Sequence, residues 1–408
     1  MVEQRWAYRR HMLVYFCLIN CFVNGLNVGV VPPLFPEIAA ELSLTHTQIG
    51  IIWGSWFLGM MLFSLIGGAM ADRFGVKRVI AGALIFSAVF CALRGFMPGF
   101  RGLTVTMFLF GVSLAFVEPN LTKGIGLWFG RMELGRVSGI LLVAFSAGQL
   151  LGNMTGASLL SPLLGGWRPT MWLTGAVAVV LLVMWLAGAR ERPEEEIMAE
   201  GAVPQPRILE SLRGIIRIKD LYFVCLMEFS VVGSFLAFQG FLPTMLVEKR
   251  EVTAATAGLL VGLTVLTSGV FNVVGPSVSD RFGVRKPFVW PFLLLGTVGM
   301  SMVAFFIGGA LIAVLILIGV GAGVTVPLFR TIVLEMQDID PSYMGSAIGL
   351  VFTLNRLGAF ILPIAMGIVI DISHLFWPAF LLLGVLNLIA VKLCLAIKET
   401  GLRAKRVS

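Results

Sequence analysis

The stretch Gly67-Gly68-Ala69-Met70-Ala71-Asp72-Arg73-Phe74-Gly75-Val76-Lys77-Arg78 returns in the second half of the chain as Gly275-Pro276-Ser277-Val278-Ser279-Asp280-Arg281-Phe282-Gly283-Val284-Arg285-Lys286. Asp-Arg-Phe-Gly-Val is identical in the two copies, and two basic residues follow each time. Asp72 and Asp280 stand 208 positions apart (280 − 72), close to half of the 408 residues. A repeat of this length means two similar structural units. Each copy interrupts long apolar sequence with a charged hairpin.

The apolar sequence is the second constraint. Hydrophobic residues make up 58% of the chain and charged ones 13%, against about 25% charged in soluble domains. The surface must face something other than water, and about 20 apolar residues suffice for a helix to cross a bilayer. Runs of that kind extend from His11 to Pro32-Pro33, then over 48–70, 79–98, 103–129, 137–161 and 169–189. A polar linker at 190–219 follows, with Arg190, Arg192, Glu194, Glu195, Glu196, Pro204, Pro206 and Arg207. Six more runs cover 220–246, 253–277, 288–308, 310–333, 343–370 and 375–397. Backbone groups in lipid must be satisfied internally, so the runs are helices. Within the linker Ile208, Leu212, Ile215 and Ile216 share one helical face, which predicts a short helix on the cytoplasmic membrane surface. The first run has no small-residue cleavage site and reads as a retained helix.

The net charge of +8 does not point to nucleic acid, because the basic residues lie in short clusters between apolar runs. With the N-terminus inside, Arg73, Lys77, Arg78, Arg131, Arg136, Arg281, Arg285, Lys286, Lys398, Arg403, Lys405 and Arg406 all fall on the cytoplasmic side. Arg101, Arg168, Lys249 and Arg250 are left outside, with Arg94 close to them. This asymmetry puts both termini in the cytoplasm and requires an even number of crossings. Cys17, Cys21, Cys91, Cys225 and Cys394 lie inside apolar runs without metal-ligand spacing and read as buried free thiols.

The doubled loop resembles the signature loop of the major facilitator superfamily, and the resemblance covers both halves and the linker. It implies an all-α membrane protein with twelve transmembrane helices in two pseudo-symmetric six-helix bundles, 1–189 and 220–408. It also implies a substrate site at the midplane and alternating access. By the same resemblance Asp72 meets the start of the eleventh helix near Ser342 to Gly345, and Asp280 meets the start of the fifth near Arg136 to Ser138. Arg73 and Arg281 then bridge to acidic groups across the gap. Pro276 replaces the glycine four positions before Asp280, so the second turn is expected to differ from the first. The fifth run, with Gly139, Gly148, Gly152 and Gly156, partly resembles the glycine-rich motif of antiporters in the superfamily. Asn153 and Ala157 depart from that motif, and close helix packing is the preferred reading. Met107 stands where proton-coupled drug exporters carry an arginine.

Polar residues inside spanning helices are costly and mark function by default. Asn20, Asn24 and Asn27 form one stripe on the first helix. Glu228 and Gln239 share a face of the seventh, and the repeat offset places Asn20 and Glu228 at equivalent positions. The fourth helix carries Glu118, Pro119, Asn120 and Lys123; the tenth carries Pro327 and Arg330 in near register. Glu335, Asp338 and Asp340 are nearby partners for those two cations. Arg356 lies mid-run beside Asn355, either as an anion site or as a buried pair with Glu228 or Glu118. Arg94 and Arg101 read as flanks of the outer end of the third helix. Asn120-Leu-Thr122 and Asn153-Met-Thr155 match a glycosylation pattern, but both lie in membrane runs.

The reading that follows is a secondary active transporter of a small, carboxylate-like organic anion, driven by proton symport. Arg356, Asn355, Asn20, Asn24, Asn27, Gln239, Lys123 and Arg330 are its substrate-binding candidates. Glu118 and Glu228 carry the proton, since a carboxyl group withdrawn from water holds its proton more readily. Asp72, Arg73, Arg136, Asp280 and Arg281 gate. The alternative is a proton-coupled exporter of lipophilic or cationic compounds. No enzyme, cofactor or metal is expected: there is no Walker-type glycine loop, and His11, His46 and His374 lack partners at metal spacing. The expected setting is a monomer in the plasma or inner membrane.

Overall fold

A computed structural model describes residues 2–130, 133–190, 214–215 and 218–401. Among the described residues there is no strand, and twelve helices are long and apolar enough to cross a membrane. They are Tyr8–Leu42 (α1), His46–Phe74 (α2), Val76–Arg94 (α3), Phe100–Trp128 (α4), Leu134–Leu164 (α5), Trp167–Gly188 (α6), Lys219–Arg250 (α7), Ala254–Phe282 (α8), Lys286–Phe305 (α9), Gly308–Glu335 (α10), Met344–Ser373 (α11) and Trp377–Ala396 (α12). The amphipathic helix expected in the linker falls on Ile208, Leu212 and Ile216, which lie outside the described residues, as do Arg403, Lys405 and Arg406.

α1 departs most from the sequence expectation. Its apolar run ends at Pro32-Pro33, yet the helix continues through Pro32, Pro33 and Pro36 to Leu42. Each proline removes a donor and crowds the carbonyl four residues back. Within a bundle, neighbouring helices and local changes of winding re-satisfy the freed groups. Separately from the prolines, whose freed carbonyls are those of Val28, Gly29 and Pro32, the seven residues Ile19–Gly25 wind as a π-helix. The helix stops where Ser43 enters the left-handed region at φ 51° and donates its N–H to the Ala39 carbonyl.

The two signature turns differ, though not at Pro276. α2 and α3 are separated by Gly75 alone, at φ 83°. Between α8 and α9 stand Gly283, at φ 66°, and then Val284 and Arg285. The longer second turn is drawn aside by its partners. The Arg285 guanidinium donates to Glu335 at 2.7 and 3.0 Å, and the Glu399 carboxylate accepts from the amides of Arg285 and Lys286 at 2.8 and 2.9 Å.

The chain divides into two compact units. Unit 1 holds Met1–Leu44, Ser55–Val203 and Leu246–Gly262; unit 2 holds Thr45–Gly54, Pro204–Met245 and Leu263–Ser408. Within unit 1, α3 packs against α4 and α6, and α1 against α5. Within unit 2, α9 packs against α10 and α12, the same arrangement six helices on. Each core is apolar: Ile80, Leu84, Leu121 and Trp185 in the first, Leu293, Val324, Leu328 and Val333 in the second. The opposite faces are apolar too. On α6, Leu181 and Trp185 are buried, while Val180 and Val183 are 58% and 60% exposed. In water such a face would be an association site; in a bilayer it meets acyl chains.

Candidate functional site

In unit 2 three helices converge on one carboxylate. Glu228 of α7 is fully buried. From α11, Asn355 donates its side-chain amide to Glu228 Oε2 at 2.6 Å. From α10, Arg330 brings Nε to 3.9 Å from Glu228 Oε1, within ion-pair range but beyond a hydrogen bond. The guanidinium carbon of Arg330 lies 4.9 Å from the centroid of the Phe352 ring, also on α11. Neither Glu228 Oε1 nor Arg330 Nε has a hydrogen-bond partner. A charged group withdrawn from water needs a counter-charge or full hydrogen bonding. This cluster supplies the charge and leaves one buried donor and one buried acceptor without a hydrogen bond.

Glu228 takes Asn355 and Arg330 as partners. Arg356 stands half-buried one position along α11. Gln239, eleven residues along α7 from Glu228, is 1% exposed. Glu335 is committed to Arg285, Asp338 lies 3.7 Å from Lys398, and Asp340 accepts from Ser342. None of these three acids pairs with Lys123 or Arg330.

In unit 1 the asparagine stripe is internally bonded. Asn20 donates to the Leu141 carbonyl of α5 at 2.8 Å, and Asn24 donates to Asn20 Oδ1 at 2.8 Å. Asn27 donates to the Val23 carbonyl at 3.0 Å. Oδ1 of Asn24 and Oδ1 of Asn27 are buried without a donor. Asn20 and Asn24 both fall in the π-helical segment, a local winding that recurs at functional positions. Glu118 of α4 is half-buried. Lys123, one turn further on, forms an ion pair with Asp72. The first signature acid is thus tied to α4 within its own unit, and the second, Asp280, accepts from Arg285 at 2.5 Å. Arg73, Arg136 and Arg281 are exposed, with Arg73 over the Phe74 ring.

Arg94 closes α3, at the helix end where the sequence placed it, but it is turned inward: it is 2% exposed, its guanidinium 4.2 Å from the Phe110 ring centroid and 3.4 Å from Cys91 Sγ. An aromatic face and a thiol accept a cation that length alone would have sent outward. Cys17 and Cys21 are half-buried, not buried like Cys91, Cys225 and Cys394; all five are free. The glycosylation-pattern residues Asn120 and Asn153 are 0% and 1% exposed. In the fifth helix, Gly148 and Gly152 meet the backbone of α1, so closely that a Cβ at Gly152 would lie 2.6 Å from the Leu26 oxygen. This is the packing role. Gly139 has nothing within 4 Å.

What sequence reading passed over lies at the start of α2. Asp371 Oδ1 accepts from the His46 amide at 3.0 Å and lies 2.9 Å from His46 Nδ1. Its Oδ2 accepts from the Thr47 amide at 2.8 Å and the Thr47 hydroxyl at 2.6 Å. The repeat offset gives no signal for this contact, since the position 208 before Asp371 is Leu163.

Among the described residues no group of three or more His, Cys, Asp or Glu is placed to hold a metal ion. The Major Facilitator Superfamily profile matches residues 17–363 and 224–406. A hexuronate transporter of Bacillus subtilis is 23% identical over 398 residues, covering 93% of this chain and 92% of its own. A probable nitrate/nitrite antiporter of Thermus thermophilus is 27% identical, covering 84% and 80%. Among solved structures, a bacterial homolog of the human lysosomal transporter Spinster, inward-facing and unoccupied, superposes with TM-score 0.81 at 15% identity, covering 95% and 96%.

Proposed function

The chain belongs to the major facilitator superfamily, a multi-pass membrane transporter and not an enzyme, and from that premise we propose that it carries a small, carboxylate-like organic anion with a proton by alternating access. The observation that carries this reading is the Glu228–Asn355–Arg330 cluster. A guanidinium presents a planar fork that matches a planar oxyanion. The side chain of Arg330 is 38% exposed, so its guanidinium can receive an anion although its Nε is itself buried. An arriving anion competes with Glu228 for the same cation. Once Arg330 turns to the substrate, Glu228 is a buried carboxylate without a counter-charge, and taking up a proton removes that penalty. Anion and proton then bind together and leave together. Arg356 and Lys123 add positive charge, and Asn20, Asn24 and Gln239 are polar groups for the rest of the substrate.

The relatives favour an anion of this shape, since hexuronate bears a carboxylate and nitrate is a planar oxyanion of the same edge geometry. The charge distribution favours a cell membrane with both termini in the cytoplasm. Asp72 and Asp280, with Arg73, Arg136 and Arg281, serve as gating residues in this scheme; their pairs with Lys123 and Arg285 fix the signature turns in one arrangement. The protein works as a monomer. Uptake of D-glucuronate and of nitrate by proteoliposomes tests the reading. Saturable uptake of D-glucuronate that Arg330→Gln abolishes supports it; uptake of nitrate alone moves the substrate to inorganic anions, and uptake of neither removes the anion assignment.

A further inference from the structure

We propose that Asp371 is the latch that holds the start of α2 against α11, and that its release is a required step when the transporter opens on that side. The inference rests on the alternating-access reading above and goes beyond it by naming the tie.

The start of α2 does not need Asp371 in order to be a helix. Thr45 and Gln48 already form a reciprocal capping box: the Gln48 amide donates to Thr45 Oγ1 at 3.2 Å, and the Thr45 amide donates to Gln48 Oε1 at 3.1 Å. The amides that this box leaves are those of His46 and Thr47, and Asp371 takes both from 325 and 324 positions away. Its carboxylate also accepts from the Thr47 hydroxyl and meets the His46 ring. An ionised carboxylate on exposed amides at a helix N-terminus gains from the helix dipole as well as from the bonds. Side-chain exposures of 23% for His46 and 28% for Asp371 leave the pair accessible to water once parted.

The division of α2 shows what the tie does. Thr45–Gly54 belong to unit 2, whereas Ser55 onward belongs to unit 1, although the helix runs unbroken to Phe74. Three more contacts bind the same ten residues within unit 2. Trp53 Nε1 donates to the Leu236 carbonyl at 2.9 Å. A Cβ at Gly54 would lie 2.6 Å from the Phe360 oxygen, and one at Gly367 would lie 2.7 Å from the Thr47 Cα. Two side chains make directional bonds here, the Trp53 indole and the Asp371 carboxylate, and only the carboxylate is charged and holds several donors at once, so it is the tie whose release matters most.

The repeat supplies an internal comparison. α8 starts in the same register: Thr253 stands 208 after Thr45, and its hydroxyl accepts from the Thr256 amide at 3.2 Å. Gly258 and Gly262 approach Asn153 and Met154 within unit 1 as Gly50 and Gly54 approach α11 within unit 2. Yet the position 208 before Asp371 is Leu163, which is 72% exposed. Only one of the two corresponding seams carries the carboxylate, so it is not a requirement of the packing.

Spin labels at Ser43 and Ile372, both exposed, report the separation of the two helix ends. They are placed in the full chain in lipid nanodiscs, with the half-buried Cys17 and Cys21 replaced by alanine, and read without substrate. Asp371→Asn keeps the shape of the side chain and removes its charge and one acceptor. The expected result is about a tenfold rise in the ratio of long to short distances, the scale of losing one charge-assisted set of bonds. Thr47→Val removes a single donor from the other partner and should shift the ratio the same way by less. Distance distributions for both variants that superimpose on the native one, with melting temperatures unchanged, overturn the latch. If Asp371→Asn does not fold, Thr47→Val alone decides the matter by the same reading. Because no substrate is present, a wrong anion or proton assignment leaves this result unaffected.

Discussion

Asn355 donates to Glu228 across 127 positions of sequence at 2.6 Å, and it is the only hydrogen bond that this fully buried carboxylate makes among the described residues. The geometry sets the site's behaviour. One oxygen is fixed by an amide that cannot change its charge, and the other faces a cation at a distance too long to satisfy it. Whatever alters Arg330 therefore alters Glu228.

Replacing Arg330 should remove transport without unfolding the protein. Arg330→Gln takes away the cation and leaves Glu228 free to hold a proton permanently. D-glucuronate uptake by proteoliposomes is expected to fall at least tenfold while circular dichroism is unchanged. Arg356→Ala, measured alongside, should weaken the apparent affinity; uptake with unchanged affinity would release Arg356 from the substrate-binding set.

Asn355 should matter for stability as well as for transport. Asn355→Ala removes the one hydrogen bond to Glu228 and costs about 1–3 kcal/mol, the penalty of an unsatisfied buried group. Thermal unfolding in detergent would read it. The double variant Asn355→Ala with Glu228→Leu should recover part of the loss, because no stranded acceptor then remains.

The Asp72–Lys123 pair should contribute little to stability. Asp72 is 73% exposed and Lys123 32%, so solvent screens the pair, and exposed ion pairs are worth about 0–1 kcal/mol. Asp72→Asn is expected to leave the melting temperature nearly unchanged while altering the rate of transport. A large loss of stability with an unaltered rate would make the signature turn a structural element only.

Glu133 should give an acid-sensitive contribution at the start of α5. Its side chain accepts from Arg9 and from the Gly130 amide. The Arg9 hydrogen bond holds its carboxyl below the usual carboxylate range, with the Gly130 amide and the charges of Arg9 and Arg136 acting the same way and burial opposing them. A lowered folded-state value gives stability that is present above the unfolded carboxyl range, about pH 4, and lost as pH falls through the folded value. The melting temperature of Glu133→Gln should thus sit below that of the native protein at neutral pH and converge with it in acid.

The fold was legible because the bilayer enforces it. A run such as 103–129 can only be a helix in lipid, and the identical Asp-Arg-Phe-Gly-Val segments tie the halves together before any contact is known. The offset of 208 also linked Asn20 with Glu228, two residues that now stand buried in their separate units. Partner choice was not legible. Nothing near Glu228 in sequence indicates Asn355 or Arg330, and the competing cation Arg356 is adjacent to one of them. Lys123 had acids in Glu335 and Asp338 by composition alone, yet Asp72 reaches it across 51 positions. Arg94 ends α3 as its place in the sequence indicates, but nothing near it in sequence indicates the Phe110 ring beneath it. His46 and Asp371 each look like an ordinary helix-end residue, and their meeting depends on how α2 lies along α11.

The most direct measurement of the central claim is D-glucuronate accumulation in proteoliposomes under an imposed pH gradient, native protein against Glu228→Gln, with internal pH followed by a trapped dye. The account predicts that the native protein concentrates the anion and carries protons with it, while Glu228→Gln exchanges anion across the membrane at equal concentration but neither accumulates it nor moves protons. Gradient-driven accumulation by Glu228→Gln equal to the native protein's would contradict it.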